Sequence, residues 1–395
     1  MVLLPENTMV HTKILKKCVA LLAVTKKEYI FAKYFKRWGL NPFGFNLKMF
    51  NNLGGISPAL TMKKTIILLL ATGLCHAAVA QNDKLINLKG EVRVDYQRDY
   101  IDGDAQKSDC GFKGKYVNFQ LDGTIAKGFT YSYRQRLNKA HADQSFFDAT
   151  DWAYLNYQAD EHWTLSGGKQ VVAIGGYEYD RAPIDLYYCS EFWNNIPCYE
   201  LGVSATYAFN GGKDRVLGQV CESPFRQQGE DMYGYSMMWM GSHGPLNTLY
   251  SANAFEYAPG KFIYYLALGH ELTWGGTRLQ LDLMNRASKG QTFFLKDCSV
   301  MAELRHGVSK QCDVTLKMTY DVNKTNSVAD QCVLPHTEIT RVGGGVEYYP
   351  IKNSREVRLH ANAYYSWGKN GNANGTTQPK QTMVNLGATW KVKII

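Results

Sequence analysis

The chain has 395 residues, a mean hydropathy of −0.31 and an aromatic-rich composition with 26 Tyr, 17 Phe, 8 Trp and 36 Gly. It shows neither long amphipathic helices nor strands alternating with helices, and it is too polar for a helical membrane protein. The formal charge of +9 comes from its first 64 residues, and the sequence from Gln81 onward is neutral, which argues against a basic nucleic-acid-binding surface.

The N-terminal part predicts export. Residues 62–80 begin with Met62 and two lysines, continue with the apolar run 66–74 and end in Ala78-Val79-Ala80. These are the three parts of a secretory signal peptide, and the apolar run is too short to span a bilayer. Residues 1–61 show no periodicity, so we expect a misassigned start or a disordered extension there. The mature protein is expected to comprise residues 81–395.

Seven cysteines follow the signal peptide, and their odd number argues against a fully paired disulfide framework. They are Cys110, Cys189, Cys198, Cys221, Cys298, Cys312 and Cys332. Cys189 and Cys198 are close enough in sequence to bridge within one loop, or to remain as thiols. No Cys or His spacing is typical of a metal site, so the sequence predicts no metal and no cofactor.

Stretches of about ten residues from Gln81 onward alternate apolar with polar side chains, which is the period of a β-strand. The last stretch is a clear example, and its apolar set is Val384, Leu386, Ala388, Trp390 and Val392. Glycine-rich turn signals separate the stretches, among them Asp122-Gly123 and Gly275-Gly276. Gly343 to Gly345 is either a further turn or part of a strand. The count gives about sixteen strands.

A soluble β-sandwich alternates in the same way, but the export signal and the bulky apolar faces opposite charged ones favour a barrel with lipid outside and water inside. Aromatic residues near strand ends fit the girdles of such a barrel: Trp152, Trp163, Trp274, Tyr348, Tyr349 and Trp367. The predicted fold is all-β, a transmembrane antiparallel β-barrel of about 16 strands. Closure follows because open sheet edges are not tolerated in lipid, and sixteen strands leave an aqueous channel.

Residues 166–198 form the longest departure from alternation and are predicted to be a long loop. The motifs in this stretch are Gly168-Lys169-Gln170, Gly175-Gly176-Tyr177-Glu178 and Pro183-Ile184-Asp185-Leu186-Tyr187. Through them the chain resembles the outer-membrane porins of Bacteroidetes-type bacteria, which are related to the phosphate-selective porin O/P family. The resemblance implies a homo-oligomeric pore, a trimer, in which a long loop folds inward and narrows the channel. The loop has no dense Lys or Arg ladder. In this it departs from the family's pattern, and phosphate selectivity is not predicted.

Two sets of charged residues are candidates for the channel itself. The pore-lining candidates on the strands are Arg93, Arg134, Arg136, Arg278, Arg286, Arg341 and Arg358. The constriction-loop candidates are Glu178, Asp180, Arg181, Asp185 and Glu191. The loop set either faces basic strand residues across a narrow passage, which would give charge preference, or solvates an external loop. We predict a mild preference for anions, although a one-residue register shift would move a strand's charges to the other face.

The predicted function is an outer-membrane porin, a water-filled channel surrounded by lipid through which small hydrophilic solutes or ions diffuse passively. A non-conducting barrel that anchors or joins a surface complex is the alternative, and nothing in the sequence excludes it. An enzyme would need a nucleophile and a base placed together. The histidines are scattered and none has a Ser/His/Asp context, so no enzyme is predicted.

Overall fold

The computed structural model of the protein describes residues 86–139, 146–291, 294–371 and 380–394. The predicted N-terminal extension and signal peptide, residues 1–80, lie outside these residues, as does most of the predicted turn at 370–375. The described part is almost entirely β-structure, with sixteen long strands and one two-residue strand. No helix in this part is both long enough and apolar enough to cross a membrane.

The strands, in chain order, are β1 Asn87–Ile101, β2 Asp104–Ala105, β3 Gly111–Ala126, β4 Phe129–Arg136, β5 Thr150–Gln158, β6 Trp163–Val171, β7 Tyr199–Phe209, β8 Asp214–Glu222, β9 Tyr233–His243, β10 Leu246–Ala258, β11 Lys261–Trp274, β12 Thr277–Ser288, β13 Asp297–Ser309, β14 Cys312–Asn323, β15 Glu338–Tyr348, β16 Val357–Lys369 and β17 Lys380–Lys393. Two short α-helices, α1 Tyr177–Asp180 and α2 Glu191–Asn195, lie between β6 and β7. Short 3-10 helices span Lys107–Asp109, Leu137–Lys139, Pro183–Asp185 and Asn210–Gly212.

The sixteen long strands form one closed barrel. Each pairs antiparallel with the next along the chain, and β1 closes the ring by pairing with both β3 and β17. One end of the barrel carries connections of two to four residues, apart from the longer link between β15 and β16. The other end carries connections of eight residues or more, apart from the two-residue link between β10 and β11. We call them the short-turn end and the long-loop end. In outer-membrane barrels the short turns are periplasmic and the long loops extracellular.

The two faces of the wall are inverted relative to a soluble protein. Along β16 the apolar residues Leu359, Tyr365 and Trp367 are 45%, 42% and 42% exposed, whereas the alternating His360 and Asn362 are buried. The same alternation gives β17 its exposed apolar set and its buried polar set. An apolar outward face with a polar inward face is the pattern of a barrel in lipid, and it excludes the soluble sandwich, whose apolar residues would be inside.

One expected turn lies elsewhere in the structure, and one open alternative is resolved. Asp122-Gly123 lies within β3, and the turn occurs instead at Lys127 and Gly128, where Gly128 has φ 79°. The run Gly343 to Gly345 lies within β15, and a Cβ on Gly345 would collide with the side chain of Asn362 on β16. Close packing of the two strands therefore requires glycine there.

The aromatic residues near strand ends divide between the two faces. Trp163, Trp274, Tyr348 and Trp367 are outward and 42% to 52% exposed, in agreement with a girdle. Trp152 instead points inward, where its indole nitrogen donates to Ser132 Oγ at 2.8 Å. Tyr349 is only 4% exposed, and its hydroxyl donates to the Glu347 carboxylate. Trp152 pairs across the ladder with the inward Arg134 and alternates along β5 with the outward Leu155 and Tyr157.

Candidate functional site

The connection between β6 and β7, residues 172–198, contacts the inward face of the barrel wall. We call it the β6–β7 segment. Helix α1 begins where the Asp282 carboxylate on β12 accepts hydrogen bonds from the backbone nitrogens of Tyr177 and Glu178, at 2.9 and 2.7 Å. Helix α2 begins where the Asp321 carboxylate on β14 accepts from the backbone nitrogen of Glu191 at 2.8 Å. Strand carboxylates thus satisfy the free N–H groups of both helices and fix the segment's backbone.

Four of the five loop candidates form ion pairs with the wall. Glu178 lies 2.7 Å from the Lys317 ammonium of β14, and Arg181 lies 2.7 Å from the Glu303 carboxylate of β13. The Asp185 carboxylate contacts two cations, the Arg358 guanidinium at 2.9 Å and the Lys391 ammonium at 3.0 Å. Glu191 pairs with Arg341 of β15. These charges therefore contact their strand partners directly.

The two aspartates of the segment have different electrostatic surroundings. Burial alone would raise the pKa of Asp185, but Arg358 and then Lys391 outweigh burial and hold that pKa below its ordinary value. Asp180 forms no ion pair with a described residue, and desolvation together with the negative charge of Glu271 raises its pKa. The charged form of Asp185 is therefore stabilised by its contacts with the wall, whereas the charged form of Asp180 is the least stabilised among the acidic loop candidates.

Two tyrosines add packing to these ion pairs. The Tyr187 hydroxyl donates to Glu347 at 2.7 Å, and the Tyr187 ring lies 4.6 Å from the His360 ring and 4.6 Å from the Arg93 guanidinium. The Tyr188 hydroxyl donates to the Lys317 backbone oxygen at 2.6 Å. The segment is consequently attached to β1, β14, β15 and β16 by side chains that are mostly buried.

The predicted pore-lining arginines all lie on the inward face, but most of them do not border open solvent. Arg93, Arg134, Arg286, Arg341 and Arg358 are at most 7% exposed. Each has a carboxylate partner, as shown by the distances of 2.7 Å from Arg93 to Asp95, 2.8 Å from Arg134 to Asp151 and 2.6 Å from Arg286 to Asp330. Their charges are thus largely compensated.

Arg136 and Arg278 are more accessible. Arg136 shares the Asp151 carboxylate with Arg134, at 3.1 Å, and its side chain is 17% exposed. The Arg278 side chain is 38% exposed and lies 3.7 Å from Glu271.

A cavity of about 860 Å³ at the short-turn end is bordered by several basic residues, some of them solvent-accessible. Its charged lining consists of seven cations and three carboxylates: Arg181, Arg278, Arg305, Lys310, Arg355, Arg358, Lys391, Asp185, Asp313 and Glu356. Sequence reasoning had missed Arg305, Lys310 and Arg355. Lys310 lies in a two-residue turn and Arg355 in the link before β16, so a search for basic residues at the short turns could have found them.

An apolar core occupies another part of the interior. Phe192 of α2 packs edge-on against Tyr265 of β11, with ring centroids 5.6 Å apart, and Tyr265 packs against Phe255 of β10 at 5.3 Å. The connections before β9 and β15 add Phe225 and Val333 to the same cluster. The β6–β7 segment is therefore held by apolar burial on the side of β8 and β10 to β12, and by ion pairs on the side of β12 to β17.

The seven cysteines of the described ranges are free thiols. Cys189 and Cys198 are not joined by a disulfide. Burial raises the pKa of the Cys189 thiol, which keeps it protonated. Within the described ranges, no three His, Cys, Asp or Glu side chains are grouped so that they could hold a metal ion.

Comparison with known proteins agrees with this architecture. The family model "Phosphate-selective porin O and P" matches residues 86–258. The anion-selective porin from Comamonas acidovorans superposes with a TM-score of 0.56 at 14% identity, covering 78% of this chain and 99% of that one. The outer membrane channel DcaP of Acinetobacter baumannii gives 0.58 at 12% identity, covering 78% and 97%. OmpT of Vibrio cholerae gives 0.51 at 13% identity, covering 78% and 97%. No curated protein sequence matches.

The closed barrel, its inverted faces and these matches define the class of protein. It is an outer-membrane porin, a channel for small solutes in the outer membrane of a bacterium. The matched residues 86–258 include the three motifs on which the predicted resemblance to the phosphate-selective porins O and P rests.

Proposed function

We propose that this porin is a passive channel with a mild preference for anions, and that the preference arises at the short-turn end. The observation that carries the proposal is the cavity of about 860 Å³, whose lining has seven cations and three carboxylates. Arg278, Lys310, Arg355 and Lys391 are its most solvent-accessible cations, with Arg278, Arg355 and Lys391 side chains 38%, 55% and 39% exposed. Lys391 pairs with the carboxylates of Asp185 and Glu91. A mouth whose lining carries an excess of one sign of charge raises the local concentration of counter-ions.

The β6–β7 segment is proposed to set the narrowest width of the channel. Its ion pairs with Lys317, Arg341 and Arg358 and its apolar packing around Phe192 support a fixed constriction rather than a mobile lid. The buried arginines that were candidates for the lining would then hold the constriction in place. Because each is matched by a carboxylate, they would contribute little to ion preference.

The test is the reversal potential of the purified protein in planar bilayers under a KCl gradient. Stepwise open channels with an anion-leaning potential are expected. The variant with Arg278→Gln, Lys310→Gln and Arg355→Gln should lose that preference. A matched control carries three exposed lysines of the long-loop end changed to Gln, at Lys261, Lys289 and Lys324. The location at the mouth is wrong if both variants keep, or both lose, the preference.

Salt concentration provides a second arm of the same test. Exposed charges are screened over a Debye length of about 10 Å at 0.1 M salt and about 3 Å at 1 M. The anion preference should therefore fall as KCl rises from 0.1 to 1 M. A folded barrel that never conducts would instead support the alternative, a non-conducting barrel that anchors or joins a surface complex.

We also propose that residues 62–80 direct export and that the barrel assembles as a homo-oligomer, a trimer. The export signal is supported by its sequence pattern, and N-terminal sequencing of protein from outer membranes should begin at Gln81. The trimer is supported by the resemblance and by a structural neighbour, OmpT of Vibrio cholerae, that is described in a trimer form. Light scattering of the detergent-solubilised protein should give three chains per particle.

A further inference from the structure

The β6–β7 segment packs mainly against one side of the barrel. The apolar core around Phe192 and Tyr265 fills the interior next to β10, β11 and β12, and ion pairs hold the β6–β7 segment against β13 to β17. Among the described residues, β3, β4 and β5 contribute none of the side chains of that apolar core. Their inward face carries partly exposed side chains that a solute inside the barrel can contact.

That face carries a cluster of arginine and aromatic side chains. The Arg134 guanidinium lies 3.7 Å from the Trp152 ring centroid and donates to the Tyr199 hydroxyl at 2.5 Å. The Arg136 guanidinium lies 5.3 Å from the Tyr116 ring centroid. The three aromatic rings and Arg136 are all partly exposed, whereas Arg134 is buried. We call Tyr116, Arg134, Arg136, Trp152 and Tyr199 the arginine–aromatic cluster.

The cluster lies at the level of the constriction. Tyr116 is paired across the β1–β3 ladder with Arg93, and Arg93 donates to the backbone oxygens of Ile184 and Leu186 in the β6–β7 segment. At its other side the cluster includes Tyr199, the first residue after the segment. A solute in the narrow part of the channel would thus be within reach of the cluster.

The charge of the cluster is positive. Arg134 and Arg136 share a single carboxylate, Asp151, at 2.8 and 3.1 Å. Among the described residues, two guanidinium groups and one carboxylate leave an excess of one positive charge.

We propose that the arginine–aromatic cluster binds small anions that carry an aromatic ring, aromatic carboxylates in particular. The ring of such an anion would pack on Tyr116 or Trp152, while its carboxylate would pair with Arg136. Neither a simple inorganic anion nor a neutral aromatic molecule satisfies both contacts. This inference rests on the proposed anion-leaning channel and adds a class of solute to it.

The test uses sodium benzoate as the probe and equilibrium titration of the folded, detergent-solubilised protein as the measurement. Benzoate should bind saturably and more tightly than acetate, which has no ring, and than benzyl alcohol, which has no charge. Tyr116→Leu should weaken benzoate binding by roughly two- to tenfold, the range expected for one aromatic contact. Arg136→Gln should weaken it by roughly tenfold or more, as expected for one hydrogen bond to a charged group. Heat-modifiable gel migration checks that each variant is folded.

Two matched controls change the same residue types elsewhere. Tyr235→Leu alters an outward-facing tyrosine of β9 that is 44% exposed. Arg226→Gln alters an arginine in the connection between β8 and β9, which pairs with Glu222 at the end of β8. Neither should change benzoate binding. The proposal is overturned if benzoate binds no better than acetate, or if the variants of the cluster bind it as well as the controls do.

Failure of this inference is distinguishable from failure of the proposed function. KCl conductance recorded without benzoate tests the channel alone. If channels open but benzoate does not bind, only the proposed aromatic-anion site is wrong. If benzoate binds to a barrel that does not conduct, the proposed channel is wrong and the proposed site stands.

Discussion

Lys317→Met should release the β6–β7 segment from the wall. The Lys317 ammonium lies 2.7 Å from Glu178, and the two side chains are only 4% and 6% exposed. The variant leaves the Glu178 carboxylate buried without its cation, although Ser190 still donates to it from Oγ at 2.5 Å and from the backbone nitrogen at 3.1 Å. Removal of one partner from a buried pair costs about 3 to 5 kcal/mol, and we expect a cost in this range.

The assay combines urea unfolding of the protein in lipid vesicles with hydrogen exchange of the amides at 177–191. If the segment detaches while the barrel stays folded, the cost appears as faster exchange in these amides and the unfolding midpoint stays nearly constant. The double variant Lys317→Met with Glu178→Gln removes both charges and should recover most of the loss.

The exposed pair of Arg226 and Glu222 is the control. Its side chains are 46% and 31% exposed, so Arg226→Gln should cost less than about 1 kcal/mol. The prediction is wrong if Lys317→Met changes both the free energy of segment opening, measured by exchange, and the free energy of unfolding by less than about 1 kcal/mol. The buried pair would then contribute no more than a surface pair.

Three further outcomes are expected. Phe192→Ala, at a side chain 4% exposed in the apolar core, should cost about 3 to 5 kcal/mol in urea unfolding or in exchange of the segment's amides. Arg358 holds the pKa of Asp185 below its ordinary 3.8, so the contact of Asp185 with the wall should persist above pH 3.8 and be lost only as the pH falls through the lowered pKa. Open-channel noise should rise as this contact is lost, and Asp185→Asn should remove that rise. Gly345→Ala should destabilise the barrel by about 1 to 3 kcal/mol, because the added methyl group collides with Asn362, and a normal unfolding midpoint would contradict the close-packing argument.

The strands and their faces could be predicted because a period of two is local. In β17 the outward set Val384, Leu386, Ala388, Trp390 and Val392 follows from alternation alone, and the closed ladder with β1 and β16 agrees with it. Prediction failed where residue type was used in place of the alternation. Trp152 has the residue type of a girdle but alternates with the outward Leu155 along β5, and Asp122-Gly123 has the residues of a turn within a continuing strand.

The partners of the charged residues could not be predicted for a different reason. Arg341 and Glu191 are 150 positions apart, and Arg93 is 91 positions from the backbone oxygen of Ile184 that it contacts. Such pairs form only after the ring has closed and the β6–β7 segment has taken one path across it. The residue types identified a charged interior, but the sequence did not distinguish a cation facing water from one neutralised by a distant carboxylate.

This distinction decides which charges control permeation. An ion pair such as Arg286 with Asp330, with both side chains at most 1% exposed, presents nearly equal and opposite charges to a passing ion, and its field falls off within a short distance. Arg355 is also paired, with Asp313, but its side chain is 55% exposed, so its charge faces the solution at the mouth. The number of inward-facing arginines therefore overstates the anion preference that we propose. The more accessible cations, at the mouth and in the arginine–aromatic cluster, are the ones that a solute would encounter.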